Sequence, residues 1–287
     1  VGRHSVRQVD VEGLVGTAFT HRDSRAGDPD LHTHLVIANK VRRIQDGQWG
    51  SLDGRMIYAH NVPASELYNT RLEHHLEEAL GLVFVETPDR DMYKRPIREL
   101  AGVAPELMAA WSTRAEAITT KLTDLAAAFQ RRHGREPTAK ERLRLGEEAT
   151  LATRGGKHHA RSRAEQRGDW RTQAAEILGG DQAVDAMVAT VLHQQAPIRE
   201  TVTDAWIADT ATRVVDTVAQ QRATWQARHL RAETYRQLRG RVDPDQWQTV
   251  VNAVMAAALT SPLSIPRGDH DTAAPTPALA RADGTSL

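Results

Sequence analysis

The chain contains no cysteine, which excludes a disulfide framework and thiol chemistry. Aromatic residues are only 5% of it, so any core must lean on leucine, valine and alanine. Neither sign of charge predominates. With 37 Lys+Arg against 37 Asp+Glu the formal net charge is zero, and composition alone gives no support for a nucleic-acid binder. No apolar run approaches the ~20 residues of a membrane span, and the first residues lack the pattern of a secretory signal. No internal repeat of the length used by helical arrays is present. Arg154, Gly155, Gly156 and Lys157 include Gly-Lys but not the G-x-x-x-x-G-K-[ST] spacing, so there is no phosphate-binding loop. No Ser-His-Asp order and no paired-carboxylate site stands out. What remains is a polar chain of 287 residues, long enough for one large domain or two, expected to be soluble and cytoplasmic.

What is present is a stretch from residue 21 to 39, HRDSRAGDPDLHTHLVIAN. His32 and His34 lead an apolar run of Leu35, Val36, Ile37 and Ala38. Alternate strand residues share a face, so the two imidazoles project the same way, roughly 6–7 Å apart. His21 ends an earlier strand-like run from Leu14 to Phe19. If the two runs pair antiparallel, the loop over 22–30 brings His21 beside the other two at a strand spacing of about 4.8 Å. Three neutral nitrogen ligands with open coordination positions have the layout of a catalytic metal site and not of a closed structural one. The competing reading is a solvated surface cluster, since H-x-H alone is a weak signal.

The spacing H-x10-H-x-H, with D-P-x-L-H-T-H-x-V-x-x-N around it, resembles the histidine-hydrophobe-histidine motif of conjugative relaxases of the TrwC/TraI (MobF) type. Asp53-Gly54-Arg55, the Leu67-Tyr68-Asn69 helix, residues 97–103 and Glu136-Pro137-Thr138 through 149–154 extend the likeness to about residue 240. The resemblance implies that His21, His32 and His34 hold a divalent metal ion (Mg, Mn, Zn, Ni or Co) that grips the scissile phosphate of single-stranded DNA. A tyrosine then attacks to leave a 5′-phosphotyrosyl adduct. It also implies a transfer-origin DNA partner, together with other relaxosome or coupling proteins. The family's nucleophilic tyrosines lie near its N-terminus, with a general-base aspartate between them and the first metal histidine. Tyr58, Tyr68, Tyr93 and Tyr235 do not match that position, so an internal fragment, inactive by itself, is expected. Two other readings are a remnant that binds single-stranded DNA or metal without cutting, and a rolling-circle replication initiator.

The expected fold is α+β: an antiparallel sheet, a partial relaxase palm, followed by a mainly helical half. Four stretches are expected: 1–103, the palm with its metal site; 104–160, helical fingers; 161–261, a helical connector; and 262–287, a linker or tail. Within the first, Asp46-Gly47 marks a hairpin turn and Asp53-Gly54 a second. Asn61 is expected to cap a helix with Pro63 in its first turn and Leu72, Leu76, Ala79 and Leu80 on its apolar face. Strands over 82–86 and 94–99 should complete the sheet. His60, His74 and His75 read as surface residues.

Trp111, Ala115, Ile118, Leu122, Leu125 and Phe129 form one stripe, predicting a helix over 105–134. Thr138 and Glu141 form a capping box for the next. Helices also follow from Asp181, over 201–238, and from Asp243-Pro244, the last carrying Val250, Val251, Val254 and Met255. Trp170, Trp206, Trp225 and Trp247 read as packing anchors. Arg22 and Arg25 in the histidine loop, and Arg131, Arg132 and Lys140 among the fingers, are the candidate DNA-phosphate contacts. Asn39 is assigned a supporting place behind the metal ligands.

Overall fold

The computed structural model describes residues 9–52, 54–87, 97–156, 159, 161–192, 194–195, 197–260 and 262–266. The expected Asp53 turn residue, the start of the strand over 94–99, Tyr93, Lys157 and residues 267–287 of the tail lie outside these. The chain is α+β, with small antiparallel sheets in the first half and helices thereafter. Contacts group it into two compact units, Val1–Gly54 with Leu80–Gln195, and Arg55–Ala79 with Ala196–Leu287. The boundaries at 103 and 160 read from the sequence both fall inside the first unit. Among the described residues, no helix is long and apolar enough to cross a membrane.

In the first unit, β2 (Gly16–Asp23) pairs antiparallel with β3 (Pro29–Ile37). Their loop closes on Ser24, whose Oγ accepts from the backbone N–H of Ala26 and of Asp28. Gly27 sits there at φ 92°, a conformation that a β-carbon disfavours. A separate sheet joins β1 (Val11–Glu12), β4 (Val41–Arg43) and β5 (Trp49–Gly50), the last two linked through the expected Asp-Gly turn with Gly47 at φ 66°. β6 (Phe84–Thr87) and β7 (Ile97–Leu100) were expected to complete one sheet. They pair with each other, so the described strands form three small sheets.

The single helix expected over 105–134 is two: α2 (Pro105–Ala110) and α3 (Thr113–His133). Ser112 breaks the run by turning its Oγ back to the Met108 carbonyl at 2.6 Å, a local bond that competes with the helix ladder. Gly134 stops α3 in the left-handed conformation, as expected. The Thr138–Glu141 capping box opens α4 (Ala139–Ala152), which packs on α3. A second box, Ser162 with Glu165, opens α5 (Arg163–Leu178), which packs on α6 (Asp181–Val191). Leu107, Ala174 and Val184 are the buried centre of this part. Val188, on α6, is 42% exposed.

The second unit holds the larger core. α1 (Gly54–Leu80) begins two turns ahead of its expected cap, because Arg55, Met56 and Ala59 are good helix formers. Asn61 and Pro63 therefore lie inside the helix. Its buried positions are Pro63, Thr70 and Glu73, whereas Leu72 and Leu80 are exposed. Charge explains the reversal: Glu66 pairs with Arg236 and Arg239, and Glu77 with Arg199.

The helix expected over 201–238 is broken into α7 (Asp204–Ala219) and α8 (Ala227–Leu238). Gln221 and Arg222 stand where the stripe of Val214 and Val218 would continue and offer it nothing apolar. α9 (Trp247–Ala258) follows a short 3-10 turn at Pro244–Gln246, and Val250, Val251, Val254 and Met255 are buried as expected. Trp206, Trp225 and Trp247 pack against this core. So does Leu263, in what was expected to be the start of the tail, beside buried Ser264, which accepts the Trp225 indole N–H.

Candidate metal centre

In the β2–β3 register His21 stands directly opposite His32, and Phe19 opposite His34. Opposed residues share a face, so all three imidazoles lie on one side of the hairpin, and Thr20 faces Thr33 on the other. The ring centroids are 5.3 Å apart for His21–His32 and 4.9 Å for each of the other two pairs. One nitrogen from each ring lies within 4.8 Å of the others. Among the described residues this is the one group of three side chains close enough to share an ion.

The ladder loses step between His21 and Asp23, where Asp30 and Leu31 together oppose Arg22. A bulge of this kind re-aims the side chains beside it. Here the Asp30 carbonyl oxygen stands 2.8 Å from His32 Nδ1, with the Asp30 carboxylate 3.4 Å away. A carbonyl only accepts, so Nδ1 carries the proton and Nε2 is left as the lone-pair nitrogen. Nitrogens sharing one ion at 2.0–2.1 Å stand roughly 3.3 Å apart, so side-chain rotations of about an ångström close this set. The donors fit a borderline divalent cation. They are neutral, converge from two strands and leave a side open, since His21 and His34 are exposed.

The loop joining the two strands is fastened to α5. Trp170 Nε1 donates to the Gly27 carbonyl at 2.9 Å, and Arg161 pairs with Asp23 at 3.2 Å. Gln166, only 4% exposed, donates to Asp23 at 2.7 Å and accepts from Arg22 Nε at 2.8 Å. From α3, Thr113 Oγ1 donates to Asp28 at 3.1 Å. Asp23, Asp30, Arg161 and Gln166 were not singled out in the sequence. Their partners lie up to 144 residues away, and no local pattern announces such a bond.

Of the other expected contacts, Arg22 and Arg25 both lie beside the hairpin loop. Neither has a carboxylate partner among the described residues; Arg25 donates to the Gly155 carbonyl. Arg131, Arg132 and Lys140 are exposed, the first two in the last turn of α3, where cations also complement the helix dipole. Arg135, between them, is committed to Glu141, and that bond with the Thr138 cap holds the Glu141 carboxyl well below the usual carboxylate range. Asn39 accepts the Leu52 backbone N–H at 3.1 Å, tying the ends of β3 and β5, and bonds to no histidine among the described residues. His60 turns back to the Met56 carbonyl, while His74 faces Glu78.

The family model described as TrwC relaxase matches residues 1–177, a span that includes the three histidines, their loop and most of α5. The chain belongs to the TrwC relaxase family. Its relatives within this relaxase family include the multifunctional conjugation protein TraI of Escherichia coli, 31% identical over 155 residues, 51% of this chain and 7% of TraI. TraI of strain K12 is 29% identical over 176 residues, 55% of this chain and 9% of that protein. The chain thus spans less than a tenth of either relative. Among solved structures, TrwC with OriT DNA in a metal-bound form is 29% identical, with 58% of this chain and 52% of that one covered, at a TM-score of 0.42. TrwC with a mutant OriT DNA is also 29% identical, covering 57% and 52%, at 0.44.

Proposed function

We propose that this chain carries the metal-binding and DNA-gripping part of a conjugative relaxase, a metal-dependent enzyme that nicks one strand of plasmid DNA at a transfer origin by tyrosine transesterification. The observation that supports it is the gathering of three imidazoles on one exposed face of a hairpin, within the stretch matched by the relaxase family. His21, His32 and His34 would hold the ion. Bound there, a divalent cation supplies positive charge against the non-bridging oxygens of a phosphate.

The chain's own residues do the rest. Asp30 holds His32 in the tautomer that presents Nε2. Gln166 Oε1 accepts a hydrogen bond from Arg22 Nε–H, orienting a guanidinium that has no carboxylate partner among the described residues and can meet a phosphate oxygen. Arg25 offers a second cation on the same loop. Within the 1–103 palm and the 104–160 fingers, Arg131, Arg132 and Lys140 would add longer-range attraction to the strand. Partners on this reading are single-stranded transfer-origin DNA and other relaxosome or coupling proteins.

A second reading is that the polypeptide binds metal and single-stranded DNA without cutting. It is favoured by the tyrosines: Tyr58, Tyr68, Tyr93 and Tyr235 do not match the position of the family's nucleophile, and Tyr235 is buried. Incubation with manganese, zinc or nickel and an oligonucleotide carrying a transfer-origin nick site separates the two. A covalent adduct on denaturing gels marks the nicking enzyme, and metal-dependent retardation without an adduct marks the binder. The triple variant H21A/H32A/H34A should lose at least 100-fold in metal affinity. Unchanged metal uptake by that variant would sink both readings.

A further inference from the structure

A cleft of about 480 Å³ opens between α2, α5 and α6, within the size range of small-ligand sites. Two tryptophans, Trp111 and Trp170, line it. Both indole N–H groups are engaged away from it, Trp111 with Gln173 at 3.1 Å and Trp170 with the Gly27 carbonyl at 2.9 Å. Those bonds pin the rings and leave carbon surface to the cleft, which Met187 and Val188 extend from α6. Two arginines also line it. Arg171 is neutralised by Asp181 and Asp185. Arg167 has no acidic partner among the described residues and is exposed.

A flat apolar body against pinned indoles, with one uncompensated cation beside it, matches a nucleotide better than an apolar side chain, which would leave Arg167 without a role. Trp170 also holds the loop of the histidine hairpin, so the cleft and that loop share one side chain. We propose that this cleft receives a single unpaired base of the DNA strand, stacked on the tryptophan surface, with its phosphate on Arg167. Stacking of this kind is tolerant of base identity, so the cleft grips the strand without reading its sequence. The inference rests on the single-strand-binding reading above and adds a second point of grip on the strand.

The test uses the whole chain and a fluorescein-labelled single-stranded oligonucleotide at fixed ionic strength. Val188→Glu places a carboxylate in the apolar wall, at a position exposed enough to tolerate it. The variant should weaken binding roughly 5- to 100-fold, the range for loss of one stacked base. Arg167→Gln should weaken it several-fold and reduce the salt dependence by about one charge. Both should keep wild-type metal affinity, which shows that the hairpin is intact. An oligonucleotide carrying 5-iododeoxyuridine should photocrosslink to Trp111 or Trp170. Wild-type affinity in both variants, or crosslinks confined to other residues, overturns the cleft and leaves the metal-site reading standing. A phosphate-free apolar peptide that competes as well as the oligonucleotide makes this a protein-docking site and also overturns it. No single-strand binding by the unaltered chain overturns both readings.

Discussion

The histidine hairpin and the core of α7, α8 and α9 are built on opposite principles. In the core, Val214, Leu230, Leu238, Val251 and Val254 are fully buried. On the hairpin, Phe19, Leu35 and Val36 are each more than half exposed, and the histidines lie among them. A two-stranded ribbon that buries so little is marginal in water by itself. Its order comes from the polar bonds that fasten the loop to α5, where Gln166, Arg161 and Trp170 reach Arg22, Asp23 and Gly27. Stability of the helical unit is therefore a matter of apolar area, and geometry of the site a matter of a few directed hydrogen bonds. Alterations to one should barely register in the other.

The largest effect should come from the helical core. Leu238→Ala leaves a cavity among Leu230, Val251 and Val254 and should cost about 2–5 kcal/mol in chemical denaturation. Metal affinity of the histidines, measured on the same preparation under native conditions, should stay within twofold. A large loss of metal binding with that variant would erase the contrast between the two regions.

A smaller loss of stability, with the reverse distribution, is expected from Gln166→Ala. It removes one hydrogen bond from Arg22 Nε and one from Asp23, which keeps its pairing with Arg161, at a cost of about 1 kcal/mol per bond. Hydrogen exchange should accelerate at the amides of β2 and β3 and not in α9. Metal affinity should fall several-fold although no ligand has been touched. Uniform acceleration across both units would show that the fastening is not local.

The smallest effect is set by pH at the cap of α4. Arg135 and Thr138 favour the ionised form of Glu141, so its carboxyl titrates below its unfolded value. Its contribution is fully present above the ordinary glutamate pKa near ~4.3 and is lost as pH falls through the depressed folded value. An NMR titration should find the Glu141 carboxyl still ionised at pH 4, and Glu141→Gln should remove that pH dependence from α4. Ordinary titration near pH 4 would mean the capping pair does not persist in solution.

Local chemistry explains which features could be read in advance. The common face of His32 and His34 follows from strand alternation, and His21 joins them because the loop length permits the pairing. The Thr138–Glu141 box, the Gly134 stop and the apolar stripe of α9 are likewise written within a few residues. The helices over 105–134 and 201–238 were read as too long because a stripe shows where apolar residues recur and not where a serine turns back on its own helix. The polar face of α1 escaped for a related reason: Glu66 and Glu77 look solvated until Arg236, Arg239 and Arg199 meet them.

The order of side chains along each strand was determined by the sequence itself, and with it the possibility that three imidazoles share a face. So were the caps and most of the buried stripes, because these depend on bonds a few residues long. Only the folded molecule decided that the hairpin would be held at its loop end by α5 and that two tryptophans would stand on one cleft. Those outcomes depend on directed bonds and packing between residues far apart in the chain, and such pairings have no periodicity to betray them.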